Sequence, residues 1–121
     1  MKRCAVAVLT ILLLPWAPIP ASAHAFLDRA VPAVGSKVRK SPAHVRLRFT
    51  ERLEAGFCSV RVLDARGKRV DKGDARGDPS DSAALLLDLK PLPPGTYKVV
   101  WRAVSVDGHV TKGDFTFEVA P

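Results

Sequence analysis

Methionine is almost missing from this chain: it occurs once in 121 residues, at position 1. A site built from soft thioether ligands is therefore excluded. Cysteine occurs twice. Cys4 lies in an N-terminal segment expected to be removed, so Cys58 would be left alone, and an intramolecular disulfide is excluded even in an oxidising compartment. A lone thiol of this kind is read as a small hydrophobe at the start of a strand, within Phe57-Cys58-Ser59-Val60. Long apolar runs are also absent. Ala5 to Leu14 is followed by Pro15, Pro18 and Pro20, too soon for the roughly 20 residues of a membrane-spanning helix. Neither a helical apolar period nor an internal repeat is visible. Aromatic residues make up only 7% of the chain, and the basic ones (Arg29, Lys37, Arg39, Lys40, Arg46, Arg48, Arg52 and Arg61 among them) are scattered. Without a basic stripe interleaved with aromatics, nucleic acid is not the expected partner. A solvated basic surface, attracted at most to anionic lipid or wall polymer, is the plainer reading.

What is present begins with a leader. Lys2 and Arg3 precede the apolar stretch, and Ala21-Ser22-Ala23 has the small-residue pattern read by signal peptidase. Cleavage after Ala23 is expected to export residues 24–121 to the periplasm or extracytoplasmic envelope. It removes Lys2 and Arg3 and lowers the formal charge from +7 to +5. The 98 residues that remain suffice for one domain, read as a monomer.

That domain reads as short strands. Val45-Arg46-Leu47-Arg48-Phe49 alternates apolar and charged residues, as a strand with one buried face does. Cys58–Leu63, Ala84–Leu89, Tyr97–Val104 and Phe115–Val119 follow, with Tyr97, Val99, Trp101 and Ala103 on one face. His24–Leu27 is expected as a short first strand, Pro32–Ser36 and Asp64–Gly67 as turns. Pro91, Pro93, Pro94 and Gly95 force another turn, since proline removes ladder donors. Lys72–Ser82, rich in Gly and Asp, reads as a mobile loop; it lacks the ligand spacing of a calcium loop. Short strands spaced by Pro/Gly turns predict an all-β sandwich or barrel.

Cleavage after Ala23 would leave His24 with a free amine beside its imidazole, and those two nitrogens can chelate one metal ion. Near the other end, Asp107-Gly108-His109 follows the strongest strand. In extended backbone residues two apart share a side, so Asp107 and His109 are expected to converge. The resulting set of three nitrogens and one oxygen suits tetragonal Cu(II), although zinc accepts similar ligands. Asp107-Gly108 could equally be a plain turn; the N-terminal histidine is what argues otherwise. His44 falls in phase with Arg46 and Arg48 and is placed on the solvent face.

These stretches resemble the CopC family of periplasmic copper-binding proteins. The residues carrying the resemblance are His24-Ala25-Phe26-Leu27, Pro32–Ser36, Val45–Glu51, Pro94–Ser105, Asp107-Gly108-His109 and Gly113–Phe117. The resemblance implies an immunoglobulin-like Greek-key β-barrel of about seven strands. It also implies a Cu(II) site made by the amine and imidazole of His24 with Asp107 and His109. The Met-rich Cu(I) site of some members does not carry over. A copper carrier or sequestering protein, serving a membrane copper transporter, is the function expected, rather than an enzyme. Two other readings stand beside it. One is a histidine-brace oxidative enzyme, which would want open copper positions and a broad aromatic face. The other is a metal-free immunoglobulin-like envelope module.

Overall fold

Alternation of apolar and polar residues sets the long strands, and proline and glycine set their ends. The computed structural model describes residues 25–121, together with the isolated Ala5 and Pro15; His24 and the other residues before Ala25 lie outside the described residues. The strands are β1 (Leu27–Val31), β2 (Lys37–Val38), β3 (His44–Phe49), β4 (Ser59–Leu63), β5 (Arg76–Asp78), β6 (Asp81–Asp88), β7 (Gly95–Val104) and β8 (Val110–Val119), with one 3₁₀ turn at Ala55–Phe57. They form two four-stranded sheets, ordered β1-β3-β6-β5 and β2-β8-β7-β4. All pairs are antiparallel except β2 with β8. The chain crosses repeatedly between sheets, and the result is an immunoglobulin-like Greek-key β-sandwich.

The inner faces are those the alternation predicts. Val45, Leu47 and Phe49 of β3 face Tyr97, Val99, Trp101 and Ala103 of β7 and Phe115, Phe117 and Val119 of β8, all buried. Phe49 meets Trp101 edge to face across the sandwich, with centroids 5.1 Å apart, and Tyr97 stacks on Phe117 at 5.6 Å. The Tyr97 hydroxyl donates to the Pro93 carbonyl. A tyrosine at a strand start bonding back to the preceding corner is a recurrent device of this architecture. Trp101 lies flat over Gly113, its partner in register; a Cβ there would sit 2.7 Å from Cε2 of the indole.

Three local expectations change. Of the expected first strand His24–Leu27, the described residues Ala25 and Phe26 lie outside any strand, and β1 runs from Leu27 on to Val31. Its Asp28 and Arg29 sit at an irregular pairing with β3 that hides the alternation. Lys72–Ser82 is not an unpaired loop: β5 lies inside it and pairs with β6, which starts at Asp81. Its aspartates are consumed by arginines, Asp78 and Asp81 by Arg46 and Asp74 by Arg76. Finally, β2 and β5 are too short to show a period, so the strand count is eight.

Candidate metal centre

Five residues, Ser105 to His109, join the two longest strands, and hydrogen bonds define their path. Gly108 N–H donates to the Ser105 carbonyl (2.9 Å), and Ser105 N–H donates to the His109 carbonyl (3.0 Å). Gly108 sits at φ +87°, a left-handed conformation open to glycine at little cost. This is a three-residue hairpin loop, a turn closed by a left-handed residue. Asp107 and His109 therefore do converge, but through a turn and not through the extended backbone the spacing suggested. His109 Nδ1 lies 2.9 Å from Asp107 Oδ2.

The carboxylate is held from several sides. The buried Ser105 hydroxyl donates to Asp107 Oδ1, and the His109 amide donates to the same oxygen at 3.2 Å. The Ser105 hydroxyl first, then the His109 ring and amide, hold the Asp107 carboxyl at about 2. It is thus fully ionised near neutral pH. A neutral imidazole that donates Nδ1–H to this carboxylate presents Nε2 as its lone-pair nitrogen. Both side chains remain open to solvent, 41% for Asp107 and 51% for His109, so an ion can reach them. Among the described residues, no three His, Cys, Asp or Glu side chains form a metal-binding group. The pair needs further ligands.

The continuously described chain starts at Ala25, which is tied to the strand that follows this pair. The Thr111 hydroxyl donates to the carbonyl of Ala25 (2.6 Å), and Ala25 is fully buried. Thr111 is two residues beyond His109 on β8. Ser105 and Thr111 are the residues that reading the sequence missed. The only signal for either was position, Ser105 two before Asp107 and Thr111 two after His109.

The remaining candidates stand apart. His44 is exposed at the start of β3, on the other sheet and opposite Asp88. Cys58 packs against the core, and its sulfur accepts the Val104 N–H (3.3 Å) while lying 3.4 Å from the Glu54 carbonyl. Burial pushes its thiol pKa up, against the opposing effect of the Val104 bond. A thiol so held is a poor source of thiolate for a metal.

Residues 27–120 match the family model described as the CopC domain. The chain belongs to the CopC family. Among its relatives, the protein YobA of Escherichia coli K12 is 38% identical over 98 residues, covering 80% of this chain and 79% of that protein. The copper transport protein CutJ of Bacillus subtilis is 32% identical over 120 residues, which is 98% of this chain but 22% of CutJ. The solved structure of CopC from Methylosinus trichosporium OB3b superposes with a TM-score of 0.76 at 39% identity, covering 81% of this chain and 95% of that one. PcoC, described as a methionine-rich copper resistance protein from Escherichia coli, gives 0.69 at 33%, covering 80% and 99%. The single methionine here sets this chain apart from that description.

Proposed function

We propose that this chain is an exported copper(II)-binding protein that carries or sequesters the ion, with His24, Asp107 and His109 as its ligands. The observation carrying this is the Asp107–His109 pair, preformed at 2.9 Å with its carboxylate ionised, His109 lying two residues from the Thr111 hydroxyl that holds Ala25. Ala25, which follows His24 in the sequence, is thereby tied to the strand that begins just after His109. Removal of the leader after Ala23 would give His24 an α-amine, which with its own imidazole chelates the ion. His109 then supplies a second imidazole, and Asp107 supplies negative charge and an oxygen.

Copper is the ion of choice because nitrogen-rich tetragonal sets favour Cu(II) and because the relatives are named for copper resistance and copper transport. The reading contains no catalytic step. A membrane copper transporter is the partner it implies, since nearly the whole chain matches about a fifth of a copper transport protein. Delivery in the extracytoplasmic envelope follows from the leader.

The test is Cu(II) titration of protein beginning at His24, followed by electron paramagnetic resonance. One tetragonal site per chain is expected. His109→Ala should weaken it by well over roughly tenfold, the lower bound for disturbing even an outer-shell partner of a metal, while His44→Ala should leave it intact. One extra residue before His24 should abolish the tetragonal signal, because a peptide nitrogen is no longer a free amine. Equal losses from His109→Ala and His44→Ala, or an unchanged signal in the extended chain, would overturn the assignment.

A further inference from the structure

The two sheets treat their outward-facing cations differently. On the β1-β3-β6-β5 sheet three of the four strand arginines are neutralised, the exposed Arg29 of β1 being the exception: Arg46 by Asp78 (3.0 Å) and Asp81 (3.3 Å), and Arg48 by Asp28 (2.7 Å) and Asp81 (3.0 Å). Arg76 is likewise held by Asp74 (2.9 Å) and Asp88 (3.1 Å). On the other sheet the only ion pair between strand residues lies at the β2 edge, Lys37 with Glu118 at 3.8 Å. Among the described residues, Arg61, Arg102 and Lys112 have no carboxylate within ion-pair distance. Arg102 and Lys112 stand directly opposite each other in the β7–β8 register, with Arg61 on the neighbouring β4. Like charges directly opposed across a ladder are destabilising.

These cations surround a groove of ≈ 590 Å³ on the outer face. Arg61, Arg69, Arg102 and Lys112 line it around the half-buried Val100, and Asp114 is the one acidic residue in the lining. Arg69 is committed to Asp71 at 2.8 Å and Arg102 donates to the Phe57 carbonyl at 3.0 Å. Arg69 is thereby neutralised, whereas Arg102 is held in place with no carboxylate against it. Neither Asp107 nor His109 lines the groove.

We infer that this face docks an acidic segment of a partner protein, which sets carboxylates against Arg61, Arg102 and Lys112 and an apolar side chain over Val100. Charge complementarity selects an anion. The groove's size, within the ≈ 300–1,000 Å³ of ligand-sized clefts, selects something larger than one inorganic ion. Its shape disfavours a bilayer, which presents a flat surface and takes up exposed apolar side chains. The large exposed ones, Phe26, Val31, Val34, Phe57, Val106 and Val110, all lie outside the lining.

The experiment is fluorescence anisotropy of a fluorescein-labelled ten-residue peptide alternating Glu and Val, titrated with the processed protein at low salt. Binding is expected, weakening as salt screens the charges. Arg61→Glu/Lys112→Glu, and the milder Arg61→Gln/Lys112→Gln, should each weaken it by about tenfold or more. Arg39→Glu/Lys40→Glu, which changes net charge as much as the first pair but lies beyond β2, should weaken it less than about threefold. Thermal unfolding and the Cu(II) signal, read on the same variants, should match the parent, so a failure here is distinguishable from a failure of the copper site. Equal losses from the groove and control pairs, no peptide binding at all, or preferential binding of phosphatidylglycerol vesicles through Arg61 and Lys112 would overturn the proposal.

Discussion

At Asp107 one carboxylate oxygen takes the Ser105 hydroxyl and the His109 amide, while the other takes the imidazole of His109. The first set of bonds shapes the turn; the second aims the ring. Asparagine keeps an oxygen for the turn bonds but removes the charge that holds the imidazole and attracts the ion. Asp107→Asn is therefore expected to lower Cu(II) affinity by about 10–100-fold, the range seen when an orienting carboxylate is lost from a metal site. The thermal midpoint should hardly change. Competition with a calibrated chelator gives the first quantity and a melt the second. A large fall in the melting midpoint with unchanged affinity would show that the carboxylate serves only the turn.

Between elements, the segment from Arg69 to Lys72 ties the two sheets together at one end. Val70 N–H donates to Val62 of β4, and Lys72 N–H donates to Asp88 of β6. Asp71 in its middle has a fully buried side chain and accepts from the amides of Val62 (2.9 Å) and Gly73 (2.8 Å) as well as from Arg69. Burial pushes its carboxyl pKa up, but the Arg69 bond and the two amides outweigh that and leave it lowered. Asp71→Ala strands the buried Val62 N–H and should cost about 1.5–3 kcal/mol. Urea unfolding, read as a shifted midpoint at constant slope, measures this. A loss under about 0.5 kcal/mol, the scatter expected of ordinary surface substitutions, would mean that water replaces the carboxylate.

Over the whole molecule, carboxylates face three arginines on one sheet (Arg46, Arg48 and Arg76) while most cations of the other stand unpaired, and the acid response should follow that layout. Asp78 is held at about 2, by the Ser80 amide and hydroxyl first and then by Arg46. Asp81 is lowered mainly by the Ala83 amide and Asp88 mainly by Arg76. A carboxyl whose folded pKa lies below its unfolded value stabilises the fold above the unfolded value, and that contribution is lost as pH falls through the folded one. Stability should accordingly hold level down to the ordinary carboxylate value of 3.8 and fall between there and about 2. Urea midpoints at a series of pH values test this. Asp78→Asn/Asp81→Asn should flatten the acid fall, and an equally steep fall in that variant would place the acid-sensitive groups elsewhere. These side chains are only partly buried, so salt should also weaken the effect.

Much of this architecture is legible in local pattern alone. Period two in Val45–Phe49, Tyr97–Val104 and Phe115–Val119 names the buried faces, because successive side chains on a strand point opposite ways whatever surrounds them. Asp107-Gly108-His109 is also visible as a candidate, since its residue types carry metal chemistry. Strand alternation accounts wrongly for its convergence, however, because a turn and an alternating strand both place i and i+2 on one side. The turn itself sets Ser105 beneath Asp107, but only the fold sets Thr111 against Ala25, a contact made by residues 86 apart. The pairing of β5, the buried Asp71 and the sorting of charges between the two faces are likewise tertiary. A short strand has too few residues to show a period, and a scattered list of arginines does not say which ones meet a carboxylate. That depends on which strands lie side by side, and strand order is decided by packing the two sheets around one core.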